Sequence, residues 1–324
     1  MKRLVLCLLT AVLLLTSAGC ADVPKKEAGR LQVVTTLFPY YDFARQVGGD
    51  RVNVTLLVPA GRETHSFEPT PMDVVRIAEC DVFLYNGGES EHWVEEILES
   101  AGENIPVTAA MMDLAELAEE EIVEGMQVSE HSHDHDHDHD HEHEHEEEIE
   151  YDEHIWTSPA MAKSLMWGVC GALCKADWDH AEYYVENAAA YEKELTALDE
   201  EFRAVVENAE RRFLVFGDRF PLLYFCREFG LDYTAAFHGC ASDTEPSLAT
   251  LKYLIDKVRQ ENIPVVYTIE LSNQKIANAI AETAGARVLT FQSCQQLSRE
   301  DWENGETYVS LMRRNVAVLK EGLS

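Results

Sequence analysis

Between Arg76 and Lys163 the chain has no lysine or arginine. The same span is rich in carboxylates, with 19 acidic residues from Asp113 to Glu153. The whole chain of 324 residues carries a net charge of −33, so this one segment holds more than half of the excess. No basic patch or stripe stands out elsewhere, which argues against nucleic-acid binding. A concentrated negative field favours attraction of cations. The chain also lacks a long apolar run. Its most continuous one, residues 4–15, is too short to span a bilayer comfortably. No nucleophile motif supports a hydrolytic enzyme.

What is present begins with a targeting layout. Lys2 and Arg3 precede the apolar run, and "TSAGC" follows it, ending at Cys20. This is the plan of a secretory signal. Small residues directly before a cysteine resemble a bacterial lipoprotein signal, although Ser17 stands where a branched apolar residue is usual. The expectation is a signal over 1–19, a lipidated Cys20, a tether over 20–30, and a mature chain held outside the cytoplasm on the bacterial cell membrane. Six cysteines remain after Cys7 and Cys20: Cys80, Cys170, Cys174, Cys226, Cys240 and Cys294. An even number in an oxidising compartment permits disulfides, with Cys240–Cys294 one pairing to test. Cys170 and Cys174 fall four apart on one helix face and read as small packing residues.

The second feature is "HSHDHDHDHDHEHEHEEE" over 131–148. His131, His133, His135, His137, His139, His141, His143 and His145 alternate with carboxylates. Neutral imidazole is the commonest zinc ligand, and carboxylate oxygens are acceptable co-ligands. With no apolar residue to offset the entropy of ordering, the tract cannot fold alone. It reads as a metal-collecting arm with a shifting set of weak sites. His141, Glu142 and His145 match the H-E-x-x-H protease pattern, but that pattern needs an apolar helix to hold it, and none is there.

A hydrophobic content of 46% supports one large or two medium domains. Short β-rich runs at 31–37, 53–59, 81–86 and 105–110 alternate with helical stretches. "FPYYDFARQVGG" is a helix closing at Gly48, and "TPMDVVRIAEC" opens with Thr70 and Asp73 as a capping box. Residues 159–209 read as two long helices, the second carrying Tyr183, Tyr184, Ala188, Tyr191, Leu195, Leu198 and Phe202 at helical spacing. Strand runs resume at 213–217, 232–237, 265–270 and 287–291. The pattern predicts an α/β fold: two parallel-sheet lobes joined by a long connecting helix, with the site in the cleft between them. The expected boundaries are 31–157 for the N-lobe, with a disordered His- and acid-rich loop over about 116–150, 158–210 for the helices, and 211–324 for the C-lobe.

Open parallel sheets bind ligands beyond the carboxyl ends of their strands. That rule selects His65 in "AGRETHSFEPTPMD", Asp218 in "GDRFP" and Glu270 at the end of run 265–270. His238 and Cys240 in "FHGC", and Cys294, are further candidates. Asp218 could equally pair with Arg219 or cap a turn, and Glu270 could cap a helix starting near Ser272. His154 stands apart from the tract, followed by apolar Ile155 and Trp156, so it is expected to be held in structure. His92 and His180 read as surface helix residues.

"GRETHSFEPTPMD" and "DEHIWTSP" are similar to the two histidine motifs of the cluster A-I solute-binding proteins, zinc and manganese receptors of bacterial ABC importers. The acidic His-rich insertion resembles the zinc-type members. The likeness extends through "NAAAYEKELTALDEEF", "TEPSLATL" and "GETYVSLMRRNVAVLKEGL". It implies two lobes, a rigid connecting helix, and a buried metal with His65 and His154 as N-lobe ligands. The C-lobe departs from the pattern. Gly217 stands where the family usually has His or Glu, and "SCQQ" lacks the family's last ligand. Asp218 and Glu270 are therefore the expected C-lobe ligands, with Glu68 and Asp152 as acceptors for the imidazole N–H groups. The implied function is a monomeric receptor, not an enzyme, that captures Zn2+ in preference to Mn2+ and delivers it to an ABC permease and its ATPase. A zinc-buffering or adhesion lipoprotein, and a zinc hydrolase, are the alternatives.

Overall fold

Val and Ile-type residues paired in register build the first sheet. The computed structural model describes residues 29–64, 67–101, 107–127, 150–239 and 245–324. Leu31–Thr35 (β1) is followed by Phe38–Gly48 (α1) and Val52–Leu56 (β2). Pro71–Glu79 (α2), Val82–Tyr85 (β3), Trp93–Ala101 (α3) and Val107–Ala110 (β4) complete the N-lobe. All strand pairs are parallel, in the order β2-β1-β3-β4, and Val33 pairs with Val54 on one side and Val82 on the other. Helices cover such a sheet on both faces, which is why its inner strands read as apolar runs. The capping box is formed as expected: Thr70 Oγ1 accepts from Asp73 N, and Asp73 Oδ2 accepts from Thr70 N at 3.0 Å. α1 ends at Gly48 as expected, but the glycine that caps it is Gly49, whose φ of 55 breaks the helix.

Two helices then leave the sheet, Pro159–Ala176 (α4) and Ala181–Glu207 (α5). α5 has 27 residues, about 40 Å at 1.5 Å per residue. Its buried stripe of Tyr184, Ala188, Tyr191, Leu195, Leu198 and Phe202 is the predicted one.

The C-lobe repeats the plan of the first with Phe213–Phe220 (β5), Leu223–Phe229 (α6), Asp232–His238 (β6), Leu248–Gln260 (α7), Val265–Thr268 (β7), Lys275–Ala284 (α8) and Arg287–Thr290 (β8). Arg299–Glu303 (α9) and Tyr308–Leu323 (α10) end the chain. The order β6-β5-β7-β8 mirrors the first sheet, and again every pair is parallel.

One continuous apolar core runs through both lobes along α5, from Phe43 and Trp156 to Phe216, Phe291 and Tyr308. A buried carboxylate fastens the lobes at its centre. Asp42 of α1 accepts from Tyr191 Oη of α5 at 3.0 Å, from the Tyr308 amide opening α10 at 2.9 Å, and from Gln46 at 3.1 Å. Burial raises its pKa, and those donors with Arg45 act in opposition.

Two expectations change. β5 continues beyond 217 to Phe220, because one extra residue is absorbed where pairing with β6 jumps from Phe216–Ala235 to Arg219–Phe237. Residues 116–127, expected to belong to the loop over about 116–150, are placed and bonded: Ala118 N donates to Tyr224 Oη and Gln127 N to Ala236 O. Residues 128–149 lie outside the described residues. Cys80, Cys170, Cys174, Cys226 and Cys294 are free thiols, and Cys240, the other half of the Cys240–Cys294 pairing, lies outside the described residues. Cys170 and Cys174 do share a helix face, with sulfurs 4.0 Å apart. Among the described residues no helix is long and apolar enough to cross a membrane.

Candidate metal centre

In each sheet the strand order reverses between the first and third strand, and a crevice opens there at the carboxyl ends. Polar side chains gather at both crevices.

At the N-lobe crevice Glu91 is buried and accepts from the amides of Asn86 (2.7 Å) and Gly87 (3.0 Å). Asn86 Nδ2 in turn donates to the Glu153 carbonyl at 3.0 Å, and Ser90 N donates to Glu153 Oε1 at 3.0 Å. The loop after β3 is thus tied to the residue preceding His154. Burial pushes the Glu91 carboxyl up to about 7, against the pull of Thr36, Gly87 and Asn86 and with the help of the Glu153 charge. Its folded pKa exceeds its ordinary value of 4.5. The folded state therefore holds a proton that the unfolded chain has released, and stability falls as pH rises from about 4.5 to about 7. Glu91→Gln removes that penalty. We expect it to stabilise the fold by about 1–3 kcal/mol at pH 8 and by little at pH 5, read from urea unfolding at the two pH values.

His154 follows directly and is fully buried. Its backbone N–H and ring Nδ1 both meet Asp152 Oδ1, at 2.8 and 3.1 Å. This fixes the ring with Nδ1 as donor, so that Nε2 is the nitrogen that could hold a metal. The ring packs edge-on against Trp156, centroids 5.5 Å apart. Trp156 reaches across to the C-lobe, where Nε1 donates to Ser293 O at 2.8 Å, and its own carbonyl accepts from Tyr308 Oη at 2.7 Å. Burial lowers the His154 pKa, but Asp152, by charge and hydrogen bond, with Glu153 and Glu120, outweighs it and leaves the pKa raised. The site that results attracts cations.

Asp152 takes the supporting role expected of it, whereas Glu68 is exposed. His65 lies outside the described residues. The chain on either side of it is placed: Gly61 N donates to Leu297 O at 2.6 Å, Glu63 lies 3.6 Å from Arg219, and the Phe67 ring packs on Trp93. The segment before His65 is therefore laid against the C-lobe.

Asp218 and Glu270 do come together, around a cavity of about 160 Å³ that His154 does not line. Neither carboxylate has the surroundings of a zinc ligand. Asp218 sits in the β5 bulge, where Oδ2 accepts from Thr268 at 2.6 Å and Oδ1 from the Arg219 amide at 2.9 Å. Glu270 accepts from the amide and hydroxyl of Ser293 at 2.7 and 2.6 Å, holding the 292–297 loop rather than a helix start. Burial raises its pKa. Arg219 and Lys275 line the same cavity with Glu63, so cations already offset the charge of its carboxylates. Gly217 has no room for a ligand: a Cβ there would lie 2.4 Å from Ala277 Cα, where α8 presses on β5.

His238 ends β6, with Nδ1 2.9 Å from Glu120 Oε2. His92 is exposed, and His180 pairs with Asp177 at a partly exposed helix start, as their sequence context suggested. Among the described residues no group of three or more His, Cys, Asp or Glu side chains is arranged to hold a metal ion.

The described residues that flank 128–149 belong to this region. On the outgoing side, Gln127 N donates to Ala236 O of β6 at 2.9 Å. On the return side, Tyr151 bridges Glu119, and Glu120 N donates to Glu150 O at 2.9 Å. His154 follows three residues later.

The model of the family described as "ZnuA: Zinc-uptake complex component A periplasmic" matches residues 33–322. The chain is 33% identical over 312 residues to the high-affinity zinc uptake system protein ZnuA of Bacillus subtilis, covering 95% of this chain and 91% of that one. It is also 33% identical to the zinc-binding lipoprotein AdcA of Streptococcus pneumoniae, covering 99% of this chain but 61% of the longer relative. Among solved structures, the Zn(II)-bound ZnuA-like domain of S. pneumoniae AdcA superposes with a TM-score of 0.72 at 30% identity, over 91% of this chain and 99% of that one. The metal-dependent lipoprotein YcdH of B. subtilis gives 0.73 at 29%, with the same coverage. Two parallel-sheet lobes on one long helix, with a buried histidine between them, agree with a match spanning nearly the whole length: the chain belongs to the ZnuA family of zinc-uptake components.

Proposed function

We propose that the chain is an extracytoplasmic receptor that captures Zn2+ and delivers it to an ABC permease and its ATPase for uptake. It acts as a monomer tethered through a lipid on Cys20, and it is a transport receptor rather than an enzyme. The observation that carries this reading is His154, a fully buried imidazole held by Asp152, among carboxylates, at the meeting of the two lobes.

Zinc is the cargo. His154, and His65 as the resemblance implies, would supply nitrogen ligands about 2.0–2.1 Å from the ion. Nitrogen donors suit zinc better than manganese, which prefers oxygen. A closed shell excludes reactive water, which is what a carrier needs and a hydrolase cannot use. Asp218 and Glu270 shape the C-lobe wall of the cleft. The tract acts as a collector: the residues flanking it, Gln127 and Glu150, are bonded beside the metal centre, so ions held weakly by the tract are concentrated near it.

Deleting residues 129–148 separates receptor from buffer. Competitive zinc titration of the shortened chain should show one tight site with unchanged affinity and fewer weakly bound equivalents. Loss of the tight site on deletion would instead make the tract the main site and the protein a zinc buffer.

A further inference from the structure

At Gly217, where the family usually has His or Glu, this chain has no room for a ligand, and the structure offers a different position. Gly239, immediately after β6, lies against the His154 ring: a Cβ there would be 3.0 Å from Cε1 and 3.2 Å from Nδ1. The C-lobe thus meets His154 at the end of β6, beside His238. Gly217 on β5 is covered by Ala277, and Glu270 beyond β7 is held by Ser293.

His238, like His154, has a carboxylate beside its ring. Its Nδ1 lies 2.9 Å from Glu120, with side chains only 14% and 9% exposed. A carboxylate at Nδ1 fixes ring and tautomer and directs metal binding to Nε2. The two carboxylates come from neighbouring backbone. Glu119 bridges Tyr151, Glu120 N bonds Glu150 O, and Asp152 N bonds Ala118 O at 2.9 Å. One short antiparallel pairing therefore presents Glu120 to a C-lobe imidazole and Asp152 to an N-lobe imidazole. None of Asp152, Glu153 and Glu120 has a lysine or arginine near it in sequence, in contrast to the Asp218 cavity with Arg219 and Lys275.

We propose that His238 is the C-lobe zinc ligand, oriented by Glu120 and paired with His154 across the lobes. This rests on the zinc-receptor reading. The two imidazoles are part of the shell, and an ion between them would draw the end of β6 to the N-lobe.

The test uses the full chain with Zn2+ alone, titrated against a chelator strong enough to strip the tract. His238→Ala should weaken the tight site about a hundredfold, and Glu120→Gln by about tenfold or more. In wild-type protein labelled with 15N at histidine, the His238 Nε2 resonance should shift with the first equivalent of zinc. Wild-type affinity in His238→Ala overturns the proposal. So does weaker binding with an unmoved His238 resonance, since His238 would then only fasten residues 119–127 to β6. A tight site lost in His154→Ala but kept in His238→Ala leaves the receptor reading standing without this ligand. No tight site in the wild type overturns both.

Discussion

His154→Ala is expected to weaken tight zinc binding by about a hundredfold or more. A four-ligand zinc site in a small domain is worth about 10–16 kcal/mol, so one ligand contributes roughly 3 kcal/mol. The loss should appear in chelator competition at neutral pH while the metal-free chain stays folded, because Asp152 keeps its bond to the backbone N–H of residue 154. Asp152→Asn should be milder, about tenfold, since it weakens the hold on the ring without removing the nitrogen. Equal affinities for His154→Ala and wild type would show that the buried imidazole is a packing residue.

The largest expected effect on stability belongs to Trp156→Ala. The indole is fully buried, stands edge-on to both Tyr40 and His154, and donates to the Ser293 carbonyl in the C-lobe. Truncation removes its packing and leaves a buried carbonyl without its donor. The expected cost is about 3–5 kcal/mol, or roughly a 10 °C fall in the Tm of the metal-free chain. Zinc affinity should fall as well, because His154 loses the wall that orients it. A cost under about 1 kcal/mol would mean the lobes are held together elsewhere, with Asp42 and α5 carrying the joint.

The parts of this account visible in the sequence are those with a repeating signal. Apolar runs separated by capped helices announced both sheets, and the spacing of Tyr184 to Phe202 announced the buried face of α5. His154 was legible because Ile155 and Trp156 follow it and both are buried. The strand-end rule found Asp218 and Glu270 but not their partners. It selects positions, and whether a carboxylate faces a metal or a serine depends on a loop 23 residues away in sequence. The β5 bulge escaped because Gly217–Asp218 reads as a turn, when the glycine is there to admit α8.

Residues 116–127 escaped for a related reason. Their acidic composition suggests an unfolded segment, although Ala118 and Met126 are buried and Val123 packs on the core. Those apolar residues among the glutamates were the available signal. His238 in "FHGC" was one candidate among several, with nothing in the sequence to set it above Asp218 and Glu270. Its significance depends on Glu120, which belongs to the other lobe's half of the sequence and became a neighbour only through this strap.

The central claim is that zinc sits at His154 between the lobes and that the tract serves it. Crystals of the protein loaded with one equivalent of zinc, measured at the zinc absorption edge, test this directly. The account predicts one dominant anomalous peak about 2.0–2.1 Å from His154 Nε2. Full-strength zinc density elsewhere, with none at His154, would contradict it.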